Sequence, residues 1–105
     1  MIIEPKKNCN ICLRLSNFRK ENKIKYPNYY NKPVISFGSL SSELLIVGLA
    51  PGIHGANKTG RPFTGDHAGV LLYNTLIKFK FAIGNYNSEK LDTLQLNNCR
   101  ITNAV

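Results

Sequence analysis

The second half of the chain has a hydrophobic pattern that predicts a strand, a helix and a second strand. The apolar run ELLIVGLA at 43–50 predicts a strand buried on both faces, as in a parallel sheet. Residues 68–84 carry apolar side chains at helical spacing, and Gly84 ends the predicted helix. Its apolar face consists of Leu72, Leu76 and Phe79, with Val70 and Leu71 beside them. The β-branched side chains of CRITNAV at 99–105 predict a second strand.

Strand, helix and strand in this order form a βαβ unit, in which a right-handed crossover places two parallel strands side by side. The predicted fold class is therefore α/β, a parallel sheet flanked by helices. Ligands of such sheets bind beyond the carboxyl ends of the strands. The loop after 43–50 and the end of 99–105 are thus expected at one rim of the sheet, and Thr64 or Asp66 is expected to cap the helix.

The first third of the chain is polar and basic. Residues 1–32 carry eight Lys or Arg and two acidic residues, a net charge of +6 out of +8 for the whole chain. A basic segment suits a polyanion such as nucleic acid, because neutralising phosphates releases counterions; an AT-rich coding sequence explains the lysines equally well. The segment CLRLSNF at 12–18 predicts a helical turn or two. YPNYYNKP at 26–33 predicts a connector or turn, whose tyrosines either stack on bases or pack under a loop.

A length of 105 residues allows one domain at most. No run approaches the roughly 18 apolar residues that a membrane helix needs. The N-terminus has Glu4 and Pro5 where a signal peptide would continue its apolar core. We expect a cytoplasmic protein that does not enter the membrane.

The three cysteines, Cys9, Cys12 and Cys99, are too few for a disulfide framework. The CNIC motif at 9–12 has three interpretations: half of a zinc or iron–sulfur site, a redox pair, or a chance spacing. Metal or cluster ligation is the favoured interpretation, because no strand precedes the motif as it would in a thioredoxin-type pair, and two thiolates one turn apart converge on one ion. A sulfur-only site needs four ligands, one more than the cysteines of this chain.

A glycine-rich loop, GLAPGIHGANKTGRPFTGD at 48–66, joins the first strand to the helix. Gly55 and Gly60 have the spacing of a phosphate-binding P-loop, but Arg61 and Pro62 stand where Lys and Ser or Thr are required. Proline also removes one amide donor. The loop therefore favours a pocket for a flat ligand over a nucleoside triphosphate site.

Three side chains at the predicted rim suit such a flat ligand. Phe63 offers a stacking face, Asp66 a carboxylate, and Asn103 an amide that both donates and accepts, as the edge of a pyrimidine requires. Each has a structural alternative: Phe63 in the core, Asp66 as a helix cap, and Asn103 bonded to the loop backbone. Histidines such as His54 and His67 are more often structural or exposed than functional.

The motifs together resemble a known family. The loop at 48–66 is very similar to the first motif of uracil-DNA glycosylases of family 5, the type-b iron–sulfur enzymes. CNICLRL at 9–15 resembles their first cluster cysteines, and ITNAV at 101–105 resembles the start of their second motif. The resemblance covers about residues 9–105 and implies a parallel sheet flanked by helices.

The resemblance also implies an activity, the hydrolysis of the N-glycosidic bond of uracil and some other deaminated bases in DNA. The base must first leave the stack, at a cost of roughly a few kcal/mol. By resemblance, Phe63 stacks on the flipped base and Asn103 reads its pyrimidine edge. Asp66, the only acid within the motif, positions or activates the attacking water and stabilises an oxocarbenium-like sugar.

Further residues take roles from the same resemblance. The backbone of three residues would approach the base: Gly48, Ala50 and Gly52. Three side chains would face the DNA: His54, Lys58 and Arg61. Cys9 and Cys12 would be two of the four ligands of a structural [4Fe–4S] cluster.

Members of that family continue through two further cluster cysteines and a late histidine motif. We therefore expect one incomplete domain at 1–105, with a basic cysteine-containing segment at 1–33 and a βαβ core at 43–105. Alone, it is expected to fold poorly and to be inactive or nearly so, and a C-terminal fragment would complement it. The alternatives are a non-catalytic nucleic-acid-binding module and a small phosphate- or nucleotide-binding α/β protein.

Overall fold

The computed structural model describes residues 4–105. Its elements in chain order are α1 Leu13–Lys25, β1 Leu44–Gly48, α2 Ala56–Thr59, α3 His67–Lys78, β2 Ala82–Ile83, β3 Gln95–Leu96 and β4 Cys99–Asn103. No helix within these residues has the length and apolar character needed to cross a membrane.

The sheet that carries the predicted rim consists of β1 and β4, paired in parallel. Leu44 lies opposite Cys99 at one end of the pair, and Gly48 lies opposite Asn103 at the other. The predicted α/β class and the parallel pairing are both confirmed. The crossover also contains a short antiparallel hairpin of β2 and β3, which the pattern did not predict.

Burial alternates along β1, so the prediction of a strand buried on both faces is wrong for the described chain. Leu44 and Ile46 pack against the core, whereas Leu45 and Val47 are 56% and 57% exposed. Residues of α3 cover only the first of these faces. A continuous apolar run does not reveal whether one or two layers cover a strand.

The core lies between α3, the hairpin and the covered face of β1 and β4. Its fully buried members are Tyr73, Leu76, Ala82, Leu94, Cys99 and Ile101. The β4 members point to this face because alternate residues of a strand share a side.

The helix α3 ends at Lys78, six residues before Gly84. Lys80 adopts a left-handed backbone conformation with a φ of 65°. The amide of Lys80 donates to the carbonyl of Ile77, and the amide of Phe81 donates to the carbonyl of Leu76. These two bonds form a Schellman motif, which stops a helix. Phe79 consequently lies 64% exposed instead of on the predicted apolar face.

The N-terminal segment forms a longer helix than its pattern suggested. α1 covers 13 residues, and its fully buried side chains are Ser16 and Asn22. Arg19 donates to the carbonyl oxygen of Cys9 at 2.7 Å, which ties the cysteine motif to the helix. Residues 26–33 form turns and a connector, as predicted.

Candidate functional site

Asn103 and Phe63 meet over Gly48 at the carboxyl end of the sheet. Register places Gly48 beside Asn103. A Cβ atom on Gly48 would lie 2.5 Å from the Asn103 Oδ1 and 2.7 Å from the Phe63 ring. Glycine is therefore required here because the amide and the ring occupy the space above its Cα atom. The predicted meeting of the glycine-rich loop with the end of the second strand is confirmed.

The carboxylate of Asp66 lies against the glycine-rich loop. A Cβ atom on Gly52 would come within 2.9 Å of the Asp66 Oδ1, and one on Gly55 would overlap the carboxylate. Asp66 occupies the N-cap position of α3 with extended backbone, but its side chain makes no capping hydrogen bond. Asp66 therefore precedes α3 as an N-cap residue would, but its carboxylate points toward the glycine-rich loop and does not cap the helix.

Phe63 has an unusual backbone that neighbouring tyrosines stabilise. Its φ of 54° lies in the left-handed region, which is uncommon for an aromatic residue. Tyr86 donates to the Phe63 carbonyl at 3.3 Å and accepts from the Gly65 amide at 3.2 Å. Tyr73 donates to the carbonyl of Pro62. Burial raises the pKa of Tyr73 to about 12, so the hydroxyl remains a donor.

Arg61 is buried beneath this loop, and the prediction that it faces DNA is wrong. It is 5% exposed, and its guanidinium donates two hydrogen bonds to the Asp92 carboxylate, at 2.8 and 2.9 Å. Its Nε donates to Thr64 Oγ1 at 2.8 Å. Three aromatic rings lie 5.0, 5.6 and 5.9 Å from the guanidinium carbon: Phe37, Tyr73 and Tyr86. Arg61 thus has a structural role under the loop.

Asp92 is the counterion of Arg61, and sequence reasoning missed it. Burial acts to raise the pKa of Asp92, but hydrogen bonds from Arg61 and from the Asn87 and Leu94 amides, with the Arg61 charge, lower it overall. The carboxylate is therefore held ionised. Its position in a polar connector, 31 residues from Arg61, gave no signal of this pairing.

His54 and Lys58 are both exposed on the glycine-rich loop. Ala50 is exposed as well, and it lines a cavity of about 390 Å³ together with Asn103. His67, the first residue of α3, is exposed. Of the three side chains predicted to face DNA, His54 and Lys58 are therefore accessible.

Cys9 and Cys12 line the same cavity as Asn103. Cys9 is half-buried and Cys12 is exposed, and both are free thiols. Cys99 lies elsewhere, fully buried in the core, where burial raises the pKa of its thiol. Within residues 4–105, no three His, Cys, Asp or Glu side chains form a group that could hold a metal ion. The described residues thus do not make a complete ligand set for a four-cysteine cluster.

Comparison with known families gives one match that covers most of the chain. The model of the uracil DNA glycosylase superfamily matches residues 35–105. This range contains β1, the whole glycine-rich loop, α3 and β4.

Several curated proteins named type-5 uracil-DNA glycosylase are similar to this chain. The Mycobacterium leprae protein is 41% identical over 100 residues, which cover 90% of this chain and 44% of the relative. The Thermus thermophilus protein is 44% identical over 73 residues, covering 65% and 33%. The Pyrobaculum aerophilum protein is 35% identical over 102 residues, covering 93% and 45%. The chain spans less than half the length of each of these relatives.

Proposed function

Because the chain belongs to the uracil DNA glycosylase superfamily, we propose that it carries the uracil-recognition half of a DNA repair glycosylase that removes uracil from DNA. The observation that carries this proposal is the meeting of the Phe63 ring and the Asn103 amide over Gly48. An aromatic face next to an amide matches the flat body and polar edge of a pyrimidine.

In the proposed complex, the uracil base leaves the DNA stack and lies against the Phe63 ring. The Asn103 Nδ2 donates to the uracil O4, and its Oδ1 accepts from the uracil N3–H. The backbone of Gly48, Ala50 and Gly52 is proposed to lie close to the base. The missing side chains of Gly48 and Gly52 leave room for the groups that act on it, the Phe63 ring with the Asn103 amide and the Asp66 carboxylate. Stacking and paired hydrogen bonds would hold the flipped nucleotide during the reaction.

The carboxylate of Asp66 would act on the water and on the sugar. The C1′–N1 bond breaks with its electron pair going to the uracil, and the positive charge that develops on the sugar is stabilised by the carboxylate. Water adds to C1′, and its proton passes to Asp66 and then to solvent or to the uracil anion. The products are free uracil and a DNA sugar without a base.

The partner in this proposal is uracil-containing DNA, and the location is the cytoplasm. His54 and Lys58 are proposed to face the DNA, since both are exposed on the loop that carries Asp66. Arg61 is left out, because it is buried against Asp92.

A further polypeptide segment would complete the domain as part of the same proposal. Cys9 and Cys12 would provide two ligands of a structural [4Fe–4S] cluster, and that segment would provide the other two. The cavity that both cysteines line and the exposed Leu45 and Val47 face of β1 support this proposal. Without the segment, the chain is proposed to be one incomplete domain that is inactive or nearly so.

The test joins this chain to the C-terminal part of the Mycobacterium leprae relative and measures cleavage at abasic sites in a uracil-containing oligonucleotide. We expect the joined protein to excise uracil, and we expect the 105-residue chain alone to be inactive or nearly so. Asp66→Asn in the joined protein should lower the rate about 10²- to 10⁴-fold, since it removes a proton acceptor.

Glu89→Gln provides the matched control, because Glu89 is an exposed carboxylate outside the site. It should leave the excision rate unchanged. A joined protein that binds DNA but excises nothing, or an Asp66→Asn variant as active as the parent, would contradict the proposal and favour a non-catalytic nucleic-acid-binding module.

A further inference from the structure

We infer that a cluster of two tyrosines and a histidine beside the site binds the DNA strand that flanks the flipped nucleotide. The cluster, here called the tyrosine platform, consists of Tyr26, Tyr29 and His54, with Lys25 and Lys58 at its edges. The inference rests on the proposed function and adds to it a second contact surface for DNA.

The platform has an ordered geometry. The Tyr26 and Tyr29 rings stack with centroids 4.8 Å apart and an angle of 10° between their planes. The His54 ring stands edge-on to both, at 5.2 and 5.8 Å. A hydrogen bond of 3.0 Å joins the Tyr29 Oη and His54 Nδ1. These contacts hold the connector 26–33 against the glycine-rich loop.

The platform lies nearer the surface than Tyr73 does. Tyr26 and Tyr29 are half-buried and do not belong to the core cluster, and His54 is exposed. Tyr73, by contrast, is fully buried within that cluster. Packing in the core therefore does not explain why Tyr26 and Tyr29 stack on each other.

Positive charge surrounds the platform. The Lys58 Nζ lies 5.5 Å from the Tyr29 ring, and the Lys25 Nζ lies 5.8 Å from the Tyr26 ring. Aromatic rings interleaved with cations are the combination that binds single-stranded nucleic acid, through base stacking and phosphate contacts.

The platform adjoins the proposed reaction centre. His54 immediately precedes Gly55, whose Cα atom lies against the Asp66 carboxylate. DNA that places a flipped base on Phe63 would therefore pass close to His54. A nucleotide next to the flipped one has lost a stacking neighbour, and the tyrosine platform offers it a replacement.

The experiment measures binding of a labelled single-stranded oligothymidylate to the 105-residue chain by fluorescence anisotropy over a range of salt concentrations. Thymine carries the same O4 and N3–H groups as uracil, so Asn103→Ala is measured beside the parent and should bind within about twofold of it, because the platform and not the pocket binds this strand. Tyr29→Leu should weaken binding about tenfold or more, because it removes a stacking ring. Tyr29→Phe keeps the ring and should bind within about twofold of the parent.

Two lysine variants with the same charge change separate a local contact from net charge. Lys58→Ala should weaken the salt dependence of binding: the negative slope of log affinity against log salt should become shallower by about 0.7, the value for one phosphate contact on a single strand. Lys78→Ala should leave the slope unchanged, because Lys78 lies at the far end of α3, a helix of 12 residues and about 18 Å.

Equal binding by Tyr29→Leu and the parent, or equal slopes for Lys58→Ala and Lys78→Ala, would overturn the inference. Circular dichroism of each variant checks its fold. If Tyr29→Leu unfolds, the Tyr29→Phe and lysine measurements decide the question. Oligothymidylate binding that fits the inference in a joined protein that excises no uracil would contradict the proposed function alone.

Discussion

Arg61 stabilises the glycine-rich loop from the interior of the protein. Its two hydrogen bonds to Asp92 are made with both side chains nearly free of solvent, at 5% and 0% exposure. Next along the chain, Pro62 accepts from Tyr73, and Phe63 accepts from Tyr86. Buried residues outside the site thereby hold the loop in place. The position of Phe63 therefore depends on the buried ion pair of Arg61 and Asp92.

Replacing Asp92 with asparagine tests this dependence. Removing one partner of a buried ion pair leaves the other charge uncompensated, so Asp92→Asn should lower the free energy of unfolding at pH 7 by about 3–5 kcal/mol. Urea unfolding measures the difference. Because folding lowers the pKa of Asp92, its stabilisation is present above the unfolded pKa and is lost as pH falls through the folded pKa. The parent and variant should therefore converge in acid.

The control for this measurement is Glu89→Gln, which removes an exposed carboxylate three residues away. It should change the free energy of unfolding by at most about 0.5 kcal/mol. Losses of similar size in the two variants, or a difference between Asp92→Asn and the parent that persists unchanged at low pH, would contradict the role given to the ion pair.

At this scale, the sequence predicted that the loop and the end of β4 meet better than it predicted the contacts beneath them. Phe63, Asp66 and Gly48 were found from one motif, and the structure brings Phe63 together with Asn103. Arg61 was assigned to the DNA face from the resemblance, and its buried position was not foreseen because its partner lies far along the chain. Pairing across such a separation depends on tertiary packing, which local patterns do not encode.

The elements show the same division between what local pattern encodes and what packing decides. β1, α3 and β4 were predicted as a βαβ unit, and their parallel pairing is confirmed. The end of α3 was placed too late, because apolar residues continue through Phe79 and Phe81 while the backbone turns at Lys80. No glycine marks that turn, and the helical period alone therefore carried the prediction beyond it.

Substitution by glycine at two lysines tests this helix end. Lys80 has a φ of 65°, a conformation that costs an ordinary residue roughly 1 kcal/mol and glycine almost nothing. Lys80→Gly should therefore raise the free energy of unfolding by about 0.5–1 kcal/mol. Lys78→Gly, at the last residue of the helix, should lower it by up to about 1 kcal/mol. Urea unfolding of both variants gives the comparison, and a loss of stability in both would contradict the Schellman end.

The whole molecule has one well-covered and one open sheet face. Leu45 and Val47 on the open face are more than half exposed, and Leu49, just beyond β1, is 83% exposed. The chain spans 44% of the Mycobacterium leprae relative. A polypeptide segment that packs on this face would bury apolar surface at about 25 cal/mol per Å². The sequence did not predict the open face, because a run of apolar residues suits either one or two covering layers.

The charge of the whole molecule is consistent with the proposed DNA partner. Residues 1–32 hold a net charge of +6, from eight basic and two acidic residues. α1 and the connector carry this charge toward the tyrosine platform and the glycine-rich loop. Electrostatic attraction would concentrate DNA near the site, and stacking and hydrogen bonds would then select the base.

The central claim is that Gly48, Phe63 and Asn103 form a pocket for uracil. Its most direct test is an NMR titration of the ¹⁵N-labelled chain with two oligonucleotides that differ only in one uracil or cytosine, because cytosine has an amino donor and an N3 acceptor where uracil has the O4 acceptor and the N3–H donor. We predict that the amide signals of Gly48, Phe63 and Asn103, with the Asn103 side-chain amide, shift more with the uracil oligonucleotide. Equal shifts at these residues with both oligonucleotides, or none with either, would contradict the claim.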